Sequence, residues 1–67
     1  MRTKDGYLIH SGMWVYNTNG VYEIKEIRPT SILISEIEFD SDDSDGYGYS
    51  DTYTVLPREI RNNYKYA

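Results

Sequence analysis

Five aspartates, two glycines and two tyrosines occupy the twelve positions D-S-D-D-S-D-G-Y-G-Y-S-D, from Asp40 to Asp51. Carboxylates packed this densely have three uses: to ligate a hard cation, to imitate a polyanion toward a basic partner, or to keep a long turn solvated. The calcium register fails at its anchors. With Asp45-Gly46 at the fifth and sixth positions of a calcium loop, Ser41 falls at the first, Asp43 at the third and Thr52 at the twelfth, where a bidentate glutamate belongs. The flanks also read as strands where such a loop needs helices, so no metal site and no cofactor are expected. Polyanion character has more behind it. Glu36, Glu38, Asp40, Asp42, Asp43, Asp45 and Asp51 fall within sixteen residues that contain no lysine or arginine. Such a stretch steers a basic partner from a distance at low salt, or occupies a groove meant for nucleic acid. In the plainer reading Asp and Ser cap their own turns, Gly46 and Gly48 take left-handed conformations, and the charge keeps a small sticky domain dispersed.

Tyrosine is the second unusual component, at eight of 67 residues. A domain this small encloses only some of them. Tyr22 and Tyr53 are expected to lie partly in the core, while Tyr16, Tyr47, Tyr49, Tyr64 and Tyr66 are candidates for a surface patch. Tyrosine covers area at low entropic cost and keeps a polar tip for a partner; alternatively, these rings pair across strands and protect edges. Trp14, the single tryptophan, fits either the core or the patch. The partner-binding set on this reading is Trp14, Tyr16, Asp40, Asp42, Asp43, Asp45, Tyr47 and Tyr49. A competing set, Arg58, Arg61 and Lys65 with Tyr64 and Tyr66, would bind single-stranded nucleic acid by phosphate contact and stacking.

Catalysis has little to build on. There is one histidine, His10, no cysteine, no serine placed with a His-plus-carboxylate pair, and no glycine-rich phosphate loop. The chain is expected to be a non-enzyme. Seven basic against eleven acidic residues give a net charge of −4, the wrong sign for affinity based on phosphate neutralisation. Another protein with a basic surface is the expected partner, nucleic acid the less favoured one, and a membrane is not expected. Absence of cysteine removes disulfides and thiolate zinc, and with no apolar run after Arg2 and Lys4 the expected location is cytoplasmic.

The elements that must position these side chains are short strands. At 67 residues one domain is expected. Asp5-Gly6 marks a hairpin between Met1–Lys4 and Tyr7–His10. Met13-Trp14-Val15-Tyr16 reads as a strand, and Asn17-Thr18-Asn19-Gly20 as a tight turn whose Asn-Gly end supplies positive-φ residues. Val21, Ile24 and Ile27 recur too irregularly for a plain strand, which predicts a β-bulge in that segment, closed by Pro29. Ser31 to Phe39 is the longest strand, with Leu33, Ile37 and Phe39 expected inward and Ile34, Glu36 and Glu38 outward. Asp51 to Leu56 alternates again after a loop over residues 40–51. Pro57 to Ile60 suits a single 3₁₀ turn that returns Ile60 to the core, and Arg61 to Ala67 either forms a last edge strand or frays. The fold class is all-β: a small barrel of five to six strands.

The order from Gly20 through Val21-x-x-Ile24-x-x-Ile27, a long strand, a loop and Thr54-Val55-Leu56-Pro57-x-x-Ile60 resembles the SH3-like small barrels, the group that includes Tudor-type and KOW-type modules. The likeness covers roughly residues 12–66. It implies an SH3-like barrel and the habits of a binding module, but no ligand. The Ala-Leu-Tyr-Asp-Tyr box and paired tryptophans of peptide-binding SH3 domains are missing. The opening Asp5-Gly6-x-x-Ile9-x-x-Gly12-Met13 is also similar to small proteins of bacteria and their phages.

Overall fold

The computed structural model describes residues 1–39 and 46–67. Residues 40–45, and with them the predictions made for Asp40, Asp42, Asp43 and Asp45, lie outside the described residues. Five strands and one helix follow in the order β1 (Trp14–Asn17), β2 (Gly20–Ile27), β3 (Ile32–Phe39), β4 (Tyr47–Val55), α1 (Pro57–Asn63) and β5 (Lys65–Tyr66). They form one antiparallel sheet in the order β4-β3-β2-β1-β5. The protein is thus mostly β, as its short, turn-punctuated apolar runs require. The sheet does not close into a barrel, because β4 and β5 remain its two edges.

Local chemistry explains each junction. Gly6, at φ 91°, turns the N-terminal ribbon, in which the Thr3 amide donates to the Tyr7 carbonyl at 2.8 Å and Arg2 bridges to Leu8. In the β1–β2 turn Gly20 has the expected positive φ, 157°, but Asn19 does not, since among the described residues only glycines have one. Instead Asn17 Oδ1 accepts from the Asn19 and Gly20 amides at 2.8 and 3.2 Å, so a side chain closes the turn. The anticipated bulge is present: the β2–β3 register slips between Ile24 and Glu26, leaving Lys25 as the extra residue.

The 3₁₀ turn is replaced by a seven-residue α-helix. Pro57 opens it with a missing N–H that costs nothing there. The Glu59 carboxylate then accepts from the Leu56 amide at 3.2 Å, which satisfies one N-terminal donor. Tyr64 ends α1 in extended conformation, and β5 pairs with β1 through Val15–Tyr66 and Tyr16–Lys65.

The core lies on one face of the sheet. Val15, Ile24, Ile32, Ile34 and Ile60 are fully buried, joined by Met13, Tyr22 and Tyr64. This corrects the facing assigned to β3: Ile34 is inside, Leu33 is half-buried and Phe39 is 61% exposed. Apolar residues occupy both alternating sets of this strand, so pattern alone could not choose between them. What covers each face decides, and Ile60 of α1 and Met13 join the core cluster on the side of Ile32 and Ile34. β4 also begins at Tyr47 rather than Asp51, because Tyr47 and Tyr49 pair with Phe39 and Ile37. A second register slip, between Ser35 and Ile37, inserts one extra residue on the β4 side. Gly48 is therefore part of a strand and has no positive φ. Among the described residues no helix is long and apolar enough to cross a membrane.

Candidate functional site

Cross-strand pairing fixes which side chains share the face opposite the core. One row runs Trp14–Glu23–Ser35–Thr52, a second runs Tyr16–Val21–Ile37–Tyr49, and Phe39 pairs with Tyr47 beyond them. Paired residues point to the same side of a sheet. Trp14, Tyr16, Phe39, Tyr47 and Tyr49 therefore stand on one outer face, from strands that are distant in sequence.

The rings touch. Trp14 meets Tyr47 at 5.2 Å and Phe39 at 6.2 Å between centroids, and Tyr47 meets Tyr49 at 6.0 Å, all edge-on. Edge-to-face contact sets the positive rim of one ring against the negative face of the next. Beneath them Ile37 and Ser35 are buried, with Ser35 Oγ 3.1 Å from Thr52 Oγ1. The rings themselves remain open: Phe39, Tyr47 and Tyr49 are about half exposed or more, and Trp14 is half-buried.

Glu23 is the polar centre of the face. Its Oε1 accepts from the Tyr49 hydroxyl at 2.7 Å and from Trp14 Nε1 at 3.1 Å, while Oε2 pairs with Lys25 Nζ at 2.9 Å. The Tyr49 hydroxyl above all, then Lys25, holds this carboxyl below its usual range. The same bond pushes the Tyr49 phenol up, and Glu23 pushes the Lys25 ammonium up. Lys25 Nζ lies 3.7 Å from the centroid of the Tyr49 ring, within cation–π reach. Glu23 thereby joins Trp14, Tyr49 and Lys25 in one polar cluster.

The other predicted residues are dispersed. Tyr16 is exposed on the outer face but pairs with Lys65 on its other side. Tyr64, placed at the surface from the sequence, is buried against Tyr22 at 5.6 Å, and Tyr53, expected partly in the core, meets Tyr22 at 6.2 Å but is 42% exposed. Tyr64 follows α1 in extended conformation, two residues before Tyr66, which pairs with the buried Val15, and the Tyr64 ring turns inward. Tyr66 leans on Tyr7 at 4.7 Å, and its amide donates to Asp5 Oδ1. Arg58 and Arg61 border a hollow with Met1, Arg2 and Pro57, on the helix that covers the core face. His10 is exposed, and its Nδ1 lies 3.0 Å from the Ser11 carbonyl oxygen. Among the described residues no three His, Cys, Asp or Glu side chains are grouped as a metal site would require.

Sequence reasoning missed Phe39, Glu23 and Lys25. Phe39 was assigned inward by simple alternation. Glu23 carried one usable signal, a lone acid placed opposite Trp14 once the hairpin at residues 17–20 fixes the β1–β2 register. Lys25 carried a signal too, as the residue that the predicted bulge re-aims. No family model, curated protein or solved structure matches the chain.

Proposed function

We propose that this protein is a non-catalytic interaction module or small inhibitor, and that its contact surface is the outer aromatic face. The observation that carries it is the cluster of Trp14, Phe39, Tyr47 and Tyr49, ordered by edge contacts around Glu23 yet left largely open to solvent. Rigid amphipathic rings of this kind supply contact area with little further ordering on binding. By sequence, the acidic stretch from Asp40 to Asp45 joins β3 to β4 and continues directly from Phe39. A basic protein surface is the matching partner, brought in by charge and held by the rings.

The resemblance to SH3-like small barrels belongs to the same proposal. In its favour are a five-stranded antiparallel sheet, a last strand that returns to β1, and a single short helical element between the final two strands. Nucleic-acid binding is the weaker reading. Arg58 and Arg61 stand on the helix over the core face, whereas the exposed ring cluster stands on the opposite face, and Tyr64 is buried. Of the basic set Lys65 alone, paired with Tyr16, shares the outer face, so contact by Arg58 and Arg61 and stacking on the rings would fall on different sides of the sheet.

The test is capture from a lysate of the source cell by immobilised wild type, by Phe39→Ala/Tyr47→Ala, and by Arg58→Gln/Arg61→Gln. The expected result is a protein partner retained by wild type and by the arginine variant, released at high salt, and lost from the aromatic variant. Nucleic acid captured through the arginines would overturn the proposal.

A further inference from the structure

Lys25 provides the lead. It is the extra residue of the β2 bulge, and its ammonium sits 2.9 Å from Glu23 and 3.7 Å from the Tyr49 centroid. The outer face thus already holds one cation between a carboxylate and a π face, supplied from within the chain. Lys25 uses the Tyr49 ring alone. The rings of Phe39 and Tyr47, 61% and 51% exposed, face solvent beside it, and Glu38 lines the same hollow as Phe39, Tyr47 and Tyr49. Negative ring faces next to carboxylate acceptors are complementary to a guanidinium or ammonium group, and the planar guanidinium also stacks. An anionic partner would instead meet Glu23 and, in the hollow beside the rings, Glu38.

Resting on the reading of this face as the contact surface, we propose that its occupant is a basic protein segment that lays an arginine or lysine side chain on the Phe39, Tyr47 and Tyr49 rings, with Lys25 as the internal competitor. While Lys25 covers Tyr49 and neutralises Glu23, the site is partly self-occupied. An incoming cation displaces the ammonium or settles beside it, and removing Lys25 opens the full site.

Trp14, as the single tryptophan, gives a fluorescence reporter inside the cluster. The probe is a hexa-arginine peptide, titrated into the full chain at low salt. Three variants are compared with wild type: Lys25→Met, Arg61→Gln and Phe39→Ala/Tyr47→Ala. The first two remove the same single positive charge, one at the site and one on the opposite face. The peptide is expected to shift Trp14 emission, and K25M to bind it about two- to fivefold more tightly than R61Q, the factor that one exposed cation–π contact provides. The aromatic variant is expected to bind more weakly by at least the same factor. Equal affinities for K25M and R61Q, or unchanged binding by the aromatic variant, would overturn the cation site and leave only diffuse charge attraction. If lysate capture still depends on Phe39 and Tyr47 in that case, the cationic occupant alone falls. If capture also survives their removal, the reading of this face as a contact surface falls with it.

Discussion

The two faces of the sheet carry the same kinds of side chain and use them in opposite ways. On one face Val15, Ile24, Ile32 and Ile34 are sealed by Ile60 and Met13, and Tyr22 and Tyr64 meet edge-on at the border of that cluster. On the other, Trp14, Phe39, Tyr47 and Tyr49 make the same edge-on contacts, and among the described residues no helix or ribbon is laid over them, only the Lys25 ammonium over Tyr49. The difference comes from α1 and the N-terminal ribbon, which the chain places on one side only. In so small a domain about two helical turns decide which aromatic cluster becomes core and which stays available. Burial converts apolar area into stability, whereas exposure keeps that area for a partner.

Mutations on the two faces should separate by magnitude. Ile60→Ala leaves a cavity at the meeting point of helix and sheet, and is expected to cost about 2–5 kcal/mol. That approaches the whole stability of a chain of this length, on the order of 5 kcal/mol. Urea denaturation, or simple failure to fold, reads the effect. Raising the pH attacks the same face through its tyrosines. Burial pushes the Tyr22 and Tyr64 phenols above their ordinary value, with Glu36 adding to the effect at Tyr22. A group whose folded pKa is raised stabilises the fold fully below its unfolded value and loses that contribution as pH rises through the folded one. Stability should therefore fall above the ordinary phenol pKa of 10.0, and Tyr64→Phe should flatten that fall, as followed by urea midpoints across pH.

The outer face responds to acid. Glu23 is held below its ordinary value by Tyr49, Lys25 and Trp14, so its contribution is present above that value and lost as pH falls through the folded one. Glu23→Gln is expected to cost about 1 kcal/mol at neutral pH and to remove part of the acid-induced destabilisation. Asp5, lowered chiefly by the Thr3 hydroxyl, accounts for another part and should be untouched by that change. Smallest of all, Arg58→Gln/Arg61→Gln should stay within about 0.5 kcal/mol of wild type, since both side chains are exposed.

The fold's punctuation was legible because turn chemistry is local. Asp5-Gly6, Asn17 to Gly20, Pro29 and Pro57 each mark an observed junction, and the 21-24-27 spacing signalled the bulge at Lys25. Facing was not legible. Ser31 to Phe39 offers apolar residues to both sides, and only the long-range arrival of Ile60 and Met13 assigns Ile34 inward and Phe39 outward. The aromatic cluster was half legible for the same reason. Trp14, Tyr47 and Tyr49 stood out by type, but their meeting with Phe39 and Glu23 depends on register across four strands. The strand character of Tyr47 to Ser50 was hidden by Gly46 and Gly48, which read as loop until Phe39 and Ile37 supply the pairing.

The division of labour between the faces is tested most directly by the urea stability of the Phe39→Ala/Tyr47→Ala variant at neutral pH. If the outer rings are kept for a partner, the double variant should lose less than about 1 kcal/mol, because both rings are already largely in water. A loss of 3 kcal/mol or more, on the order of a core truncation, would make the outer cluster a second core over Ile37 and contradict its reading as a contact surface.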